Sequence, residues 1–152
     1  MQYKKTIIEM GHQKIFFEYE NTSNGEYEIE SAWALPLGNN KYKLDNILFY
    51  APEYSLGDIV KVEHRGEEPF VVGLVEESGH STVRILFNDI DNVQTVRMYL
   101  DEIGCSSEIS NIPILISVDI PPDKKYSDIK KYLDLGESEG KWSYEESCIS
   151  HE

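Results

Sequence analysis

Gly79-His80-Ser81-Thr82-Val83-Arg84 places an imidazole, two hydroxyls and a guanidinium within six residues. A hydroxyl beside an imidazole is the raw material of nucleophilic hydrolysis, and arginine with a polar neighbour suits a carboxylate or a phosphate. The segment precedes a run of β-formers, ILF, so it reads as a turn at Ser78-Gly79 leading into a strand. In a strand, successive side chains point to opposite faces, so His80 and Ser81 cannot pair with each other. His80, Thr82 and Arg84 share one face and form a candidate polar cluster. Asp45 and Asp58 are the carboxylates that would join it in acid–base work, although Asp58 after Gly57 is also good turn chemistry. His12 falls in an expected hairpin turn, His64 beside the Arg65-Gly66 turn, and His151 at a terminus expected to fray. No HExxH, Walker loop or GxGxxG occurs, so none of these metal, phosphate or dinucleotide signatures is carried. The polar groups of 79–84 are expected to hold a junction rather than perform chemistry.

The elements that must position these residues fall into two halves. From Thr6 to Glu77 the chain alternates polar and apolar side chains, with turn residues at Asn24-Gly25, Gly38-Asn39-Asn40, Ser55 to Asp58 and Arg65 to Glu68. Strands are predicted over 5–10, 13–20, 26–36, 41–50, 58–64 and 69–77, the pattern of a small antiparallel barrel or sandwich. In EYEIESAWALPL, Tyr27, Ile29 and Ser31 are expected on the buried side and Glu26, Glu28 and Glu30 on the wet side. After Gly79 the period changes. Val93, Val96, Leu100 and Ile103 form a helical stripe with Asp91 or Asn92 as N-cap and Gly104 as the stop. ILISVDI reads as a buried apolar strand, Ser127 as the cap of a second helix carrying Ile129, Tyr132 and Leu133, and KWSYEESCIS as a closing strand. The order β-α-β-β-α-β predicts a ferredoxin-like half. The expected fold class is α+β: a β-rich subdomain over 1–79 packed on a ferredoxin-like subdomain over 80–152, as one compact unit.

Charge narrows the function classes. The chain of 152 residues carries 28 acidic and 14 basic side chains, net −14, and residues 1–79 and 80–152 contribute −7 each. With no basic stripe, nucleic acid is a poor partner. No apolar run reaches the roughly 18 residues of a membrane span, and the first residues lack an apolar signal core, so a cytoplasmic location is expected. Cys105 and Cys148 are too few for a disulfide framework or a CxxC zinc site and are expected to fill space. Carboxylates cluster at Glu26, Glu28 and Glu30, and again at Glu137, Glu139 and Glu145 beside Trp142 and Tyr144. Trp33 and Trp142 are expected in the core, or, if exposed, as anchors of an interface.

The blocks Trp33-Ala34, Tyr42 to Tyr50, Gly57 to Val60 and Ser78 to Arg84 resemble the fingerprint of a bacterial family designated domain of unknown function 4265, which has W-A, Y-x-L-D-N-I-x-F-Y, G-D-x-V and S-G-H-S-T-x-R. The resemblance covers roughly residues 26–146, including GESEGKWSYEE. Leu48 stands where the family usually has proline. The resemblance implies no particular activity.

Three readings follow. The first is a non-enzymatic acidic binding protein, an immunity protein that occludes a basic nuclease-type toxin, with Glu26, Glu28, Glu30, Glu137, Glu139, Trp142, Tyr144 and Glu145 at the contact. The second is a small-molecule or regulatory sensor using a pocket at His80, Thr82 and Arg84. The third is a hydrolase-like enzyme using His80 with Asp45 or Asp58.

Overall fold

The computed structural model describes residues 11–151, so the strand expected over 5–10 lies outside it. Five strands close into a barrel: β1 (Gln13–Asn21), β2 (Glu26–Gly38), β3 (Lys41–Leu44), β4 (Ile59–Arg65) and β5 (Glu68–Glu76). Neighbours run antiparallel, and the barrel closes where β1 meets β5 in parallel at Phe16 and Phe70. The β1–β2 turn is built by Asn21, whose carbonyl accepts Gly25 N–H at 2.7 Å and whose side chain accepts Ser23 N–H at 2.9 Å. Ile15, Phe17, Ala32, Ala34, Leu44, Val60 and Val62 fill the interior.

Two expectations fail here. The strand over 41–50 ends at Leu44, and residues 45–58 leave the sheet. The two faces of β2 are also exchanged: Tyr27, Ile29 and Trp33 are 68%, 56% and 47% exposed, whereas Glu28 and Glu30 share the inward side with buried Ala32 and Ala34. The strand period fixes this parity: with Ala32 and Ala34 turned into the barrel beside Ile15, Phe17 and Leu44, every second residue before them shares that side. The carboxylates at the end of that face are tolerated because donors meet them there, as shown below.

The remaining chain forms a sheet of β6 (Ser81–Phe87), β7 (Ser107–Ile109), β8 (Leu115–Ile120) and β9 (Trp142–Cys148), ordered β7-β8-β6-β9 with every neighbour antiparallel. Helices α1 (Val93–Glu102) and α2 (Tyr126–Ser138) connect them. Val93, Val96 and Leu100 of α1 and Ile129 and Leu133 of α2 join Val83, Ile85, Ile116 and Val118 in one core, so both helices cover one sheet face. Helix α1 begins at Asn92 without a side-chain cap, after a single 3-10 turn whose cap is Asp89. Gly104, at φ +90°, ends it as expected. Helix α2 starts one residue before Ser127, so Ser127 lies in its first turn and Lys125 takes the cap position. Cys105 is buried and Cys148 half-buried, both as free thiols.

Trp142 belongs to this core and is 4% exposed, its indole N–H donating to the Leu133 carbonyl at 3.0 Å. Gly136 of α2 lies flat against the ring, and a Cβ there would fall 1.9 Å from Trp142 Cζ2. Gly136→Ala would gain about 1 kcal/mol of helix propensity but overpack a rigid buried ring, which costs about 1–3 kcal/mol or more. The overlap is deep, so a net loss of about 2 kcal/mol is expected, measured by chemical denaturation.

Candidate functional site

The face of the second sheet opposite the helices carries Thr82, Arg84, Ser117 and Asp119, all buried although polar. The 45–58 segment of the barrel half covers them. Ser117 Oγ donates to the Leu48 carbonyl at 2.6 Å, Thr82 Oγ1 meets Ser55 Oγ at 2.8 Å, and Arg84 donates to the Ala51 carbonyl at 2.9 Å. Leu48 is itself buried in the barrel core. Asp58 accepts Ser55 N–H and Ser78 N–H, each at 2.9 Å, and so ties both ends of the connection together. Gly57 and Gly79 have φ of +85° and +91°, and a Cβ on either would press on Ser78 or Pro122. Only glycine fits both turns.

His80 does not meet Asp45 or Asp58. Its Nδ1 lies 2.9 and 3.0 Å from the two oxygens of Asp119, which stands opposite Thr82 on β8. Burial raises the Asp119 pKa, and the hydrogen bond from His80 with the charges of His80 and His151 opposes that rise. Asp45 instead bonds His12 at 2.6 Å. Ser81 points into the other side of the sheet, where its Oγ accepts the N–H groups of Ser150 and His151 at 2.9 and 3.3 Å and contacts His151 Nδ1 at 2.5 Å. The other ring nitrogen of His151 donates to the Pro121 carbonyl at 2.8 Å. Ser81 is fully buried, and these bonds make it a clamp for the segment at 150–151. His151 is anchored, contrary to the fraying expected of a terminus. Gly136-Glu137-Ser138-Glu139-Gly140 spells G-x-S-x-G, but it lies at the end of α2 rather than in a strand-to-helix turn, and Ser138 Oγ donates back to Leu135.

The polar cluster is divided. Thr82 is sealed in the seam, His80 lines a shallow recess with Lys43, Glu76 and Glu77, and Arg84 lines a separate, larger cleft. This cleft, of about 600 Å³, opens between the halves and is lined by Tyr19, Glu20, Glu28, Tyr50, Tyr144 and Glu145 together with Arg84. Arg84 is 8% exposed; it donates to Glu145 at 3.0 Å, and its Nε has no partner. Tyr19 and Tyr50 lie nearly parallel, 11° apart with centroids 6.3 Å apart. Glu28 accepts one bond on each oxygen, from Asn21 Nδ2 and Tyr19 Oη, both at 3.0 Å. Those bonds hold its carboxyl below the usual range, and the Tyr19 hydroxyl is pushed up to about 12, chiefly by burial and then by Glu28.

Glu30 is bound internally. Its two oxygens accept the N–H groups of Phe49, Tyr50 and Ala51 at 2.7, 3.0 and 2.8 Å. Among the other carboxylates expected at a contact, Glu26 is exposed at the β1–β2 turn, Glu137 accepts Tyr144 N–H at 3.2 Å, and Glu139 pairs with Lys141 at 3.3 Å. Buried Trp142 is removed from any contact surface, while Trp33 is exposed with Lys14 above its ring. Sequence reasoning missed Asp119 and Tyr19, and it gave Tyr50 no role beyond its place in a family block. The aspartate in the apolar run ILISVDI, two residues after Ser117, was a signal for the first.

Residues 30–144 match the family model described as Domain of unknown function (DUF4265). The chain belongs to this family. The match includes Tyr50, Arg84 and Tyr144 of the cleft and begins after Tyr19 and Glu28, so the DUF4265 region holds one wall and the β1–β2 hairpin supplies the other. The fold is similar to the novel crystal structure of a hypothetical protein from Neisseria gonorrhoeae, at 25% identity and a TM-score of 0.78, covering 90% of this chain and 94% of that one. No curated protein matches the chain.

Two outcomes are expected for this DUF4265 chain. Glu30→Gln exchanges a carboxylate bound by three N–H groups for an amide that offers one oxygen, so chemical denaturation should show a loss of about 1.5–3 kcal/mol. For Glu28, the folded pKa is depressed, so its stabilising effect is present above the unfolded value of about 4.3 and is lost as the pH falls through the folded value. The difference in Tm between the native chain and Glu28→Gln should therefore be present at neutral pH and close in acid.

Proposed function

We propose that this chain is a non-enzymatic, acidic bacterial binding protein that neutralises a basic protein, most concretely an immunity protein that occludes a nuclease-type toxin in the cytoplasm. The observation that carries this reading is the cleft, where Glu20, Glu28 and Glu145 line an aromatic-walled opening on a chain of net charge −14. Carboxylates concentrated on one side steer a basic partner toward contact, and tyrosines supply large, rigid contact area. The hydroxyl of Ser81 is spent on anchoring the chain end and Thr82 on the seam, which weakens a hydrolase reading. A sensor built on His80, Thr82 and Arg84 together is less supported, because among the described residues His80 and Arg84 line different recesses and Thr82 is buried in the seam.

We also infer that residues 80–152 form a ferredoxin-like βαββαβ subdomain packed on the barrel of residues 1–79. The strand order β7-β8-β6-β9 and the helices on one face support this.

The test is inhibition of the basic nuclease-type protein encoded beside this chain. Stoichiometric inhibition is expected, with affinity falling about ten-fold or more as ionic strength rises from 0.1 to 1 M and the Debye length shrinks from about 10 to 3 Å. Salt-independent binding, or full nuclease activity in the presence of excess chain, would sink the proposal.

A further inference from the structure

We propose that the cleft between the halves is a receptor for an arginine side chain, with Glu28 as its anion and the rings of Tyr19 and Tyr50 as its flat wall. This rests on, and sharpens, the reading of the chain as a binder of a basic protein.

The argument begins with charge. Three carboxylates and one guanidinium line the cleft, and the guanidinium is already committed: Arg84 bonds Glu145 and the Ala51 carbonyl and is nearly enclosed. It cannot turn to Glu28 without leaving both partners. Among the described residues no cation pairs with Glu20 or Glu28, and an occupant that brings one is favoured over any anion. The volume of about 600 Å³ holds a long side chain with its flanking backbone.

Geometry then selects guanidinium over ammonium. Each Glu28 oxygen uses one lone pair on an internal donor, Asn21 on one and Tyr19 on the other, which fixes the plane of the carboxylate. One lone pair per oxygen is left, and a fork of two parallel N–H groups matches that pair as a compact ammonium does not. The near-parallel rings of Tyr19 and Tyr50 offer planar π surface against which a flat cation stacks. Among the described residues, Lys14 rests over Trp33, Arg65 over Phe70 and Lys130 over Tyr144 of the cleft, and none of the three bonds Glu28. Tyr50 is held in place from outside the cleft, its hydroxyl donating to Asn111 at 2.9 Å, so the wall is set before an occupant arrives.

The experiment titrates the full chain with Nα-acetyl-arginine methylamide, followed by amide NMR, beside the lysine analogue and the citrulline analogue, which keeps the shape and loses the charge. Saturable shifts at Tyr19, Glu28 and Tyr50 are expected with arginine, weaker ones with lysine and none with citrulline. Glu28→Gln should weaken the arginine probe about ten-fold, the scale of a charge-assisted pair. Glu20→Gln, at an exposed site where folding is not at risk, should weaken it a few-fold. Equal binding of arginine and citrulline, or an unchanged affinity in both variants, would overturn the assignment. The two proposals also fail separately. A basic protein neutralised equally well by the Glu28 and Glu20 variants overturns the arginine receptor and leaves the partner reading standing. An arginine probe that binds, with no basic protein inhibited, supports the receptor and removes the immunity reading.

Discussion

The carboxylate of Glu30 organises the molecule. It projects from the inward side of a barrel strand and gathers three consecutive backbone N–H groups, those of Phe49, Tyr50 and Ala51. A segment that would otherwise continue as strand is thereby folded back as a loop, with its amides satisfied by a side chain instead of a neighbouring strand. From that loop Leu48 enters the barrel core, the Leu48 and Ala51 carbonyls receive Ser117 and Arg84, and Tyr50 reaches the cleft and Asn111. The junction between the two halves is in this sense a consequence of one glutamate. It also explains how a carboxylate can occupy a face that continues into apolar packing, since charge-assisted bonds to several donors offset its desolvation.

The seam itself is polar, and its groups are paired across the boundary: Ser55 with Thr82, Ser117 with the Leu48 carbonyl, Arg84 with the Ala51 carbonyl. Such pairs add little net stability over well-packed apolar groups, but an unmatched buried donor is costly, so only one registration of the two sheets satisfies them all. The sheet face that carries Thr82, Arg84, Ser117 and Asp119 is thus specified as an internal surface even though its composition suggests solvent.

That point marks where the sequence was legible and where it was not. Regular elements announced themselves through periodicity: four of the barrel strands and both helices lie close to the ranges read from alternation and from the 3.6-residue stripe, and the barrel is present. The family blocks were equally visible, and the match over 30–144 agrees with them. The failures share a cause. Glu30 was assigned to the wet face with Glu26 and Glu28 because charge ordinarily marks solvent, and residues 45–50 were read as strand because ILFY favours one. Both expectations rest on local composition, and both were reversed by a contact between residues about 20 positions apart. The pairing of His80 with Asp119, 39 residues away, is of the same kind. Long-range partners leave no period behind, so the cleft had to wait for the fold.

The two sheets differ in how they end. Among the described residues the barrel has no free strand, whereas the second sheet has two, β7 and β9. A free strand is a template on which another chain can polymerise through its unpaired backbone groups. Here one border is only three residues long, and the other combines a shift in register with the adjacent charges of Glu145 and Glu146. Neither offers a straight, neutral ladder for a second molecule to extend. The same acidic border that walls the cleft therefore guards the open sheet against edge-to-edge aggregation.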